Sequence, residues 1–144
     1  MLLNIKGSNK ATRTLVNQAA WWYAEKLMGK RLMNALEINI NLDRTLAKKY
    51  NMEGSAIWED EGRRPREFTI ELDATMSIRN ILITLAHEMV HVKQWAKGEK
   101  MHMDEVEYWD YPWEIEAFGR QLGLFVRFCN DVGIADREDM QEIA

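Results

Sequence analysis

Leu85-Ala86-His87-Glu88-Met89-Val90-His91-Val92-Lys93-Gln94 is the stretch on which the reading of this chain turns. Apolar residues run through and ahead of it at helical spacing, from Ile78 through Leu82, Leu85 and Met89 to Val92. At about 100° per residue, Asn80, Thr84, His87, His91 and Gln94 fall on the opposite side of the same helix. Histidines four apart on a helix leave from one face, so their ring nitrogens can converge on a single Zn²⁺, with Glu88 beside them to handle protons. The predicted helix runs from Ser77 to Lys97, capped by Thr75 or Ser77 and stopped by Gly98. One face is then free to rest on a scaffold while the other looks into a cleft.

Working outward, the scaffold is a small sheet. Leu36 to Leu42 alternates apolar and polar residues strictly, as a half-buried strand does. Ser55 to Glu59 is a second candidate, Gly62 and Pro65 mark a turn, and Glu67 to Leu72 alternates again. Leu2 to Lys6 reads as a brief strand ended by Gly7-Ser8-Asn9. Ala11 to Met28 is a helix that Gly29 should close, with Trp21 and Trp22 read as core packing rather than as a stacking platform. Glu99 to Tyr111 shows no sustained periodicity and reads as a loop. Pro112 opens another helix, with Asp110 or Tyr111 as cap, that runs to about Asn130 before Gly133, and Asp136 to Ile143 suggests a last short one. The expected class is α+β: a three- to four-stranded mixed or antiparallel sheet packed on the motif helix and further helices. No repeat or linker divides residues 1–144, so one domain is expected.

Composition narrows the function. The 144 residues carry a net charge of −4, with 47% hydrophobic and 29% charged residues, an ordinary balance for a globular protein and a poor one for neutralising phosphates. Lys26/Lys30/Arg31, Lys48/Lys49 and Arg63/Arg64/Arg66 therefore read as solvated surface, and a nucleic-acid partner is disfavoured. Cys129 is the single cysteine, so an internal disulfide and a cysteine-based zinc site are both excluded. No apolar run approaches a membrane span, and Met1-Leu2-Leu3 lacks the basic region and long apolar stretch of a secretory signal. An unexported, cytoplasmic chain is the expectation.

A zinc ion that activates water needs three protein ligands and an open position. His87 and His91 supply two. The third must come from His102, the one remaining histidine, or from a downstream carboxylate: Glu99, Asp104, Glu105, Glu107, Asp110, Glu114 or Glu116. Glu116 is preferred, because it lies on a predicted helix and shares its face with Gly119 and Gly123, which would let that helix come close. Glu114, two residues earlier, must point elsewhere, so only one of the pair can be a ligand. The extended metzincin pattern is absent: Gln94 stands where its glycine belongs and Lys97 where its third histidine does.

These residues resemble the zincin metallopeptidases, specifically the small SprT-like proteins of bacteria and phages. The resemblance rests on Arg66-Glu67-Phe68-Thr69-Ile70-Glu71-Leu72, on Leu85 to Gln94, and on Pro112-Trp113-Glu114-Ile115-Glu116-Ala117. It implies a minimal zincin-like fold, with the strand before the motif helix lining the substrate groove. The His-Gly segment that gives better-known SprT members their third histidine is missing. The Glu116-Ala117 pair is instead similar to thermolysin-like gluzincins, in which a glutamate preceding an alanine is the third ligand, and this implies Glu116 in that role. The expected activity is zinc-dependent hydrolysis of a protein or peptide substrate, with Glu88 as general base and Tyr108, Tyr111 or His102 stabilising the carbonyl oxygen. Glu67 to Leu72, as an exposed sheet edge, would hold an extended peptide. The rival expectations are a catalytically silent zinc-binding interaction protein and a nucleic-acid-associated SprT-like protein.

Overall fold

The computed structural model describes residues 1–60, 62–99 and 108–142. Four strands form one mixed sheet: β1 (Leu2–Lys6), β2 (Glu37–Asp43), β3 (Gly54–Trp58) and β4 (Glu67–Asp73), in the order β1-β2-β4-β3. β1 and β4 both run parallel to β2, and β3 pairs antiparallel with β4 at the edge. Parallel strands need a long crossover. Helix α1 (Lys10–Asn34) supplies it between β1 and β2. Gly7, with φ 94°, makes the turn into α1, and a Cβ there would collide with the Leu42 carbonyl oxygen. Asn9 caps the helix by accepting from the Thr12 amide at 2.8 Å. Gly29 is non-helical (φ 79°, ψ 164°), as its reading as a stop implies, but it kinks α1 rather than ending it.

The alternation in β2 and β4 sends Ile38, Ile40, Leu42, Phe68, Ile70 and Leu72 to one face, where they are fully buried or nearly so. Over that face lie α1 and the motif helix α3 (Ile78–Ala96), which Ser77 caps through the Asn80 amide. The Tyr23 hydroxyl, buried between them, donates to the Leu82 carbonyl at 3.0 Å. At the other end of α3 the Arg66 guanidinium donates to the Ala96 carbonyl at 2.8 Å, so one member of the Arg63/Arg64/Arg66 cluster is a helix cap. A short helix, α2 (Leu46–Tyr50), occupies the stretch between β2 and β3.

The last long helix, α4 (Pro112–Val132), follows a 3₁₀ turn at Tyr108–Asp110 and packs on α3 and α1. Phe128 meets Trp22 and Tyr23 there, and Trp22 donates to Asp131 at 2.8 Å, so this tryptophan belongs to the packing between helices. Gly133, at φ 78°, ends α4, and a 3₁₀ turn at Glu138–Met140 follows in place of a last α-helix. Helix α3 is thus covered on both sides, by the sheet and α1 on its apolar stripe and by α4 on the side of the histidines. Among the described residues no helix is long and apolar enough to cross a membrane.

Candidate metal centre

Helix α3 delivers His87, Glu88 and His91, and the first turn of α4 delivers Glu114. The His91 Nε2 lies 2.7 Å from Glu114 Oε1, and the His87 Nε2 lies 3.3 Å from Glu114 Oε2. One ligand atom from each of the three residues lies within 4.8 Å of the other two. The opposite ring nitrogens are already engaged: His87 Nδ1 with Gln121 Oε1 and His91 Nδ1 with Gln94 Oε1, each at 2.8 Å. An amide oxygen can only accept, so both Nδ1 atoms are donors and both Nε2 atoms are the basic ones. That is the tautomer a metal-binding imidazole needs.

The donor set fits a divalent ion. Bonds of about 2.0–2.2 Å in tetrahedral geometry put neighbouring donor atoms roughly 3.3 Å apart. The His87–Glu114 separation of 3.3 Å matches that spacing, and the 2.7 Å His91–Glu114 separation suits a shared proton that an ion would displace. Two imidazoles and a carboxylate suit Zn²⁺ best, and also accept Mn²⁺, Co²⁺ or Fe²⁺.

Charge and burial set the protonation pattern. Burial pushes the Glu88 carboxyl up, while His91 and His87 pull it partly back. For His91, burial acts to lower the pKa, but the bonds to Glu114 and Gln94 and the nearby Glu88 outweigh it, and the net shift is upward. Glu114 is held well below the usual carboxylate range: burial opposes this, and the pairing with His87 and His91 together with the hydrogen bond from Tyr108 overrides it. The Tyr108 hydroxyl donates to Glu114 Oε2 at 2.9 Å, and burial together with that carboxylate keeps the phenol protonated.

A cleft of about 250 Å³ opens on this cluster, bounded by β3 (Gly54, Ser55 and Ala56), by Trp95 and Trp113, and by Tyr108. A second hollow of about 370 Å³ shares Gly54, His87, Glu88 and Tyr108 and continues toward Met52, Phe118 and Gln121. Together they make a trough alongside β3. Glu53 and Glu59 are hydrogen-bonded to β4, and pairing alternates along an antiparallel strand, so Gly54, Ala56 and Trp58 turn their main-chain groups to the edge, where no described strand pairs with them.

Three sequence expectations need correction. Glu116 does not join the histidines: it accepts from Lys93 at 2.7 Å, from Gln94 at 2.9 Å and from Arg120 at 3.0 Å, and these donors lower its pKa to about 2 against the effect of burial. Two residues apart on a helix is about 200° of rotation, so with Glu114 turned to the histidines Glu116 faces away. Gly119 and Gly123 do not mediate a close approach either, because a Cβ on each would meet open space, whereas Ala117 is fully buried. Glu67 to Leu72 is no edge, since β4 pairs on both sides and β3 is the edge strand beside it.

Among the other candidates, Glu99 pairs with Lys93 and Asp110 is exposed in the 3₁₀ turn. Tyr108 reaches the cluster, whereas Tyr111 stacks on Trp113 with centroids 4.6 Å apart. His102, Asp104, Glu105 and Glu107 lie outside the described residues. Sequence reasoning did not assign roles to Gln94, Gln121 or Gly54. The sequence carries a signal for Glu114: Glu114, Ala117, Gln121, Leu124 and Phe128 recur at steps of three and four, the stripe that α4 turns to α3. Comparison of the chain with family models, with curated proteins and with solved structures gave no match in any of the three.

Proposed function

We propose that this chain is a metal-dependent peptidase of zincin type, with zinc as the resident ion and a cytoplasmic protein or peptide as substrate. The observation that carries the reading is the convergence of the His87 and His91 Nε2 atoms on the Glu114 carboxylate, beside a buried Glu88 in an open trough. His87, His91 and Glu114 would hold the ion, which supplies Lewis acidity and lowers the pKa of water to a range where a carboxylate can deprotonate it. Glu88 is that carboxylate. Its raised pKa suits a group that must take a proton from the attacking water and hand it to the departing amine. The outward main-chain groups of Gly54, Ala56 and Trp58 would pair with an extended substrate as an added strand. Tyr108, whose one O–H now goes to Glu114, is the residue assigned to the carbonyl oxygen, to which it would turn that O–H as charge develops.

Glu88→Gln tests the proposal. The variant keeps the size and polarity of the side chain and removes its basicity. Zinc should bind with wild-type stoichiometry while peptide hydrolysis falls by at least the ~10²–10⁴-fold expected of a general base. Hydrolysis equal to wild type would remove Glu88 from its role. A wild-type protein that binds zinc and cleaves no member of a broad peptide library would favour a silent zinc-binding interaction protein.

A further inference from the structure

We infer that Gln94 is a positioning residue for the metal centre, and that Glu116 acts on the metal only through it. The inference rests on the proposed His87–His91–Glu114 site and adds residues outside the ligand set. Gln94 lies on α3 one turn beyond His91 and is almost fully buried, with 1% of its surface exposed. Its amide has three partners: Oε1 meets His91 Nδ1 at 2.8 Å, and Nε2 donates to the Trp113 carbonyl and to Glu116 Oε1, each at 2.9 Å.

These partners fix the amide in one orientation. Both acceptors on the nitrogen side are oxygens without protons, one of them charged. Turning the amide over would set its oxygen against a carbonyl and a carboxylate and bury three mismatched groups. Gln94 Oε1 is therefore held toward His91, the Nδ1 of His91 keeps its proton, and Nε2 is left as the ligand atom. A carboxylate on the donor side also polarises the amide and makes its oxygen a better acceptor. Lys93 and Arg120 hold that carboxylate in turn, at 2.7 and 3.0 Å. The glutamate that does not reach the ion thus selects the tautomer of a histidine that does.

Helix α4 carries every partner that α3 needs for this. Glu114 is the third ligand, the Trp113 carbonyl and Glu116 anchor Gln94, and Gln121 holds His87 Nδ1 at 2.8 Å. Docking one helix on the other sets both imidazoles at once, before any ion arrives. Gln121 is the equivalent device on His87 and gives a second, less buried position at which to test the idea.

The experiment uses the full chain and zinc. Affinity is measured by competition with a chelator for wild type, Gln94→Leu, Gln121→Leu, Glu116→Ala and the Gln94→Leu/Glu116→Ala pair, and the imidazole N–H protons of each zinc-loaded protein are followed by NMR. Each leucine variant should bind zinc ~10–100-fold more weakly, the range for loss of an outer partner of a ligating histidine. The double variant should bind no more weakly than Gln94→Leu alone. The protected Nδ1–H signal of His91 should vanish in Gln94→Leu, and that of His87 in Gln121→Leu, readouts that a general loss of packing would not produce selectively. Wild-type affinity in Gln94→Leu with the His91 N–H signal intact overturns the inference, as does full additivity of Gln94→Leu and Glu116→Ala. If Gln94→Leu does not fold, Glu116→Ala decides: weaker zinc binding with an altered His91 Nδ1–H signal supports the inference, and wild-type affinity with an unchanged signal overturns it. Failure of the wild-type protein to bind zinc would sink the metal centre itself, and is read before any variant is compared.

Discussion

Gly54→Ala should close the trough from the wrong side. Gly54 opens β3 directly over α3, and a Cβ there would lie 2.7 Å from Thr84 Cγ2 and 3.3 Å from both the Glu71 carbonyl oxygen and Leu72 Cδ2. Carbon atoms rest about 3.5–4.0 Å apart, so the strand or the threonine must yield by roughly 1 Å. Thr84 is poorly able to yield, because it is β-branched and its hydroxyl contacts Met76 Sδ at 3.9 Å. Overpacking of this size costs ~1–3 kcal/mol, and at this chain length each ~1 kcal/mol lowers Tm by roughly 2–5 °C. Thr84 also lies one turn ahead of His87 and Glu88, so the same shift moves the edge strand relative to the site. A misplacement of about 1 Å can cost a reaction ~10²-fold in rate. The assay is a double-mutant cycle in Tm and in peptide turnover with Thr84→Ser, which removes Cγ2 and keeps the hydroxyl. Gly54→Ala should be destabilised and slow, and the double variant should regain most of both losses. Gly54→Ala with wild-type Tm, or losses that Thr84→Ser leaves untouched, would refute the steric argument.

Two further outcomes follow from the site and from the turn before β4. Glu114→Ala should weaken zinc binding by more than the ~100-fold at the top of the range for an outer partner, while Glu116→Ala, which acts through Gln94, stays within that range; chelator competition separates them. Asp60 accepts from the Glu67 and Arg66 amides at 2.9–3.1 Å, and these bonds lower its pKa in the folded state. Its contribution to stability is therefore present above the unfolded value of about 3.9 and fades as pH falls through the lower folded value. The Tm of Asp60→Ala should fall less steeply than that of wild type over this acid range, and parallel curves would show that the bonds contribute nothing.

The sequence made the local elements legible and the long-range pairing much less so. Strict alternation located β2 and β4 to within a residue, and serine, proline and glycine signals bounded α3 and α4. The period of two says which face a strand buries but not which strand lies beside it. The parallel pairing of β2 with β4 and the exile of β3 to the edge therefore had to come from the structure, and with them the location of the trough. Helix α2, Leu46–Tyr50, leaves no signature in the sequence, since five residues are too few for a helical period to stand out.

At the site, His87, Glu88 and His91 were legible because their spacing fits one face of a helix. The choice of Glu116 over Glu114 came from the Glu-Ala resemblance and from two glycines. It failed because the buried stripe of α4 passes through Glu114 and Ala117, while Gly119 and Gly123 lie outside it. Gln94 and Gln121 carry no motif of their own. Their roles depend on the register between α3 and α4, which no single helix encodes.

The central claim is that His87, His91 and Glu114 form one metal-binding group. Zinc-edge anomalous diffraction from crystals of the zinc-loaded protein tests it most directly. The account predicts one strong peak per chain within ~2.0–2.2 Å of His87 Nε2, His91 Nε2 and a Glu114 oxygen. A peak away from these atoms, or one ligated by Glu116 with Glu114 turned aside, would contradict it.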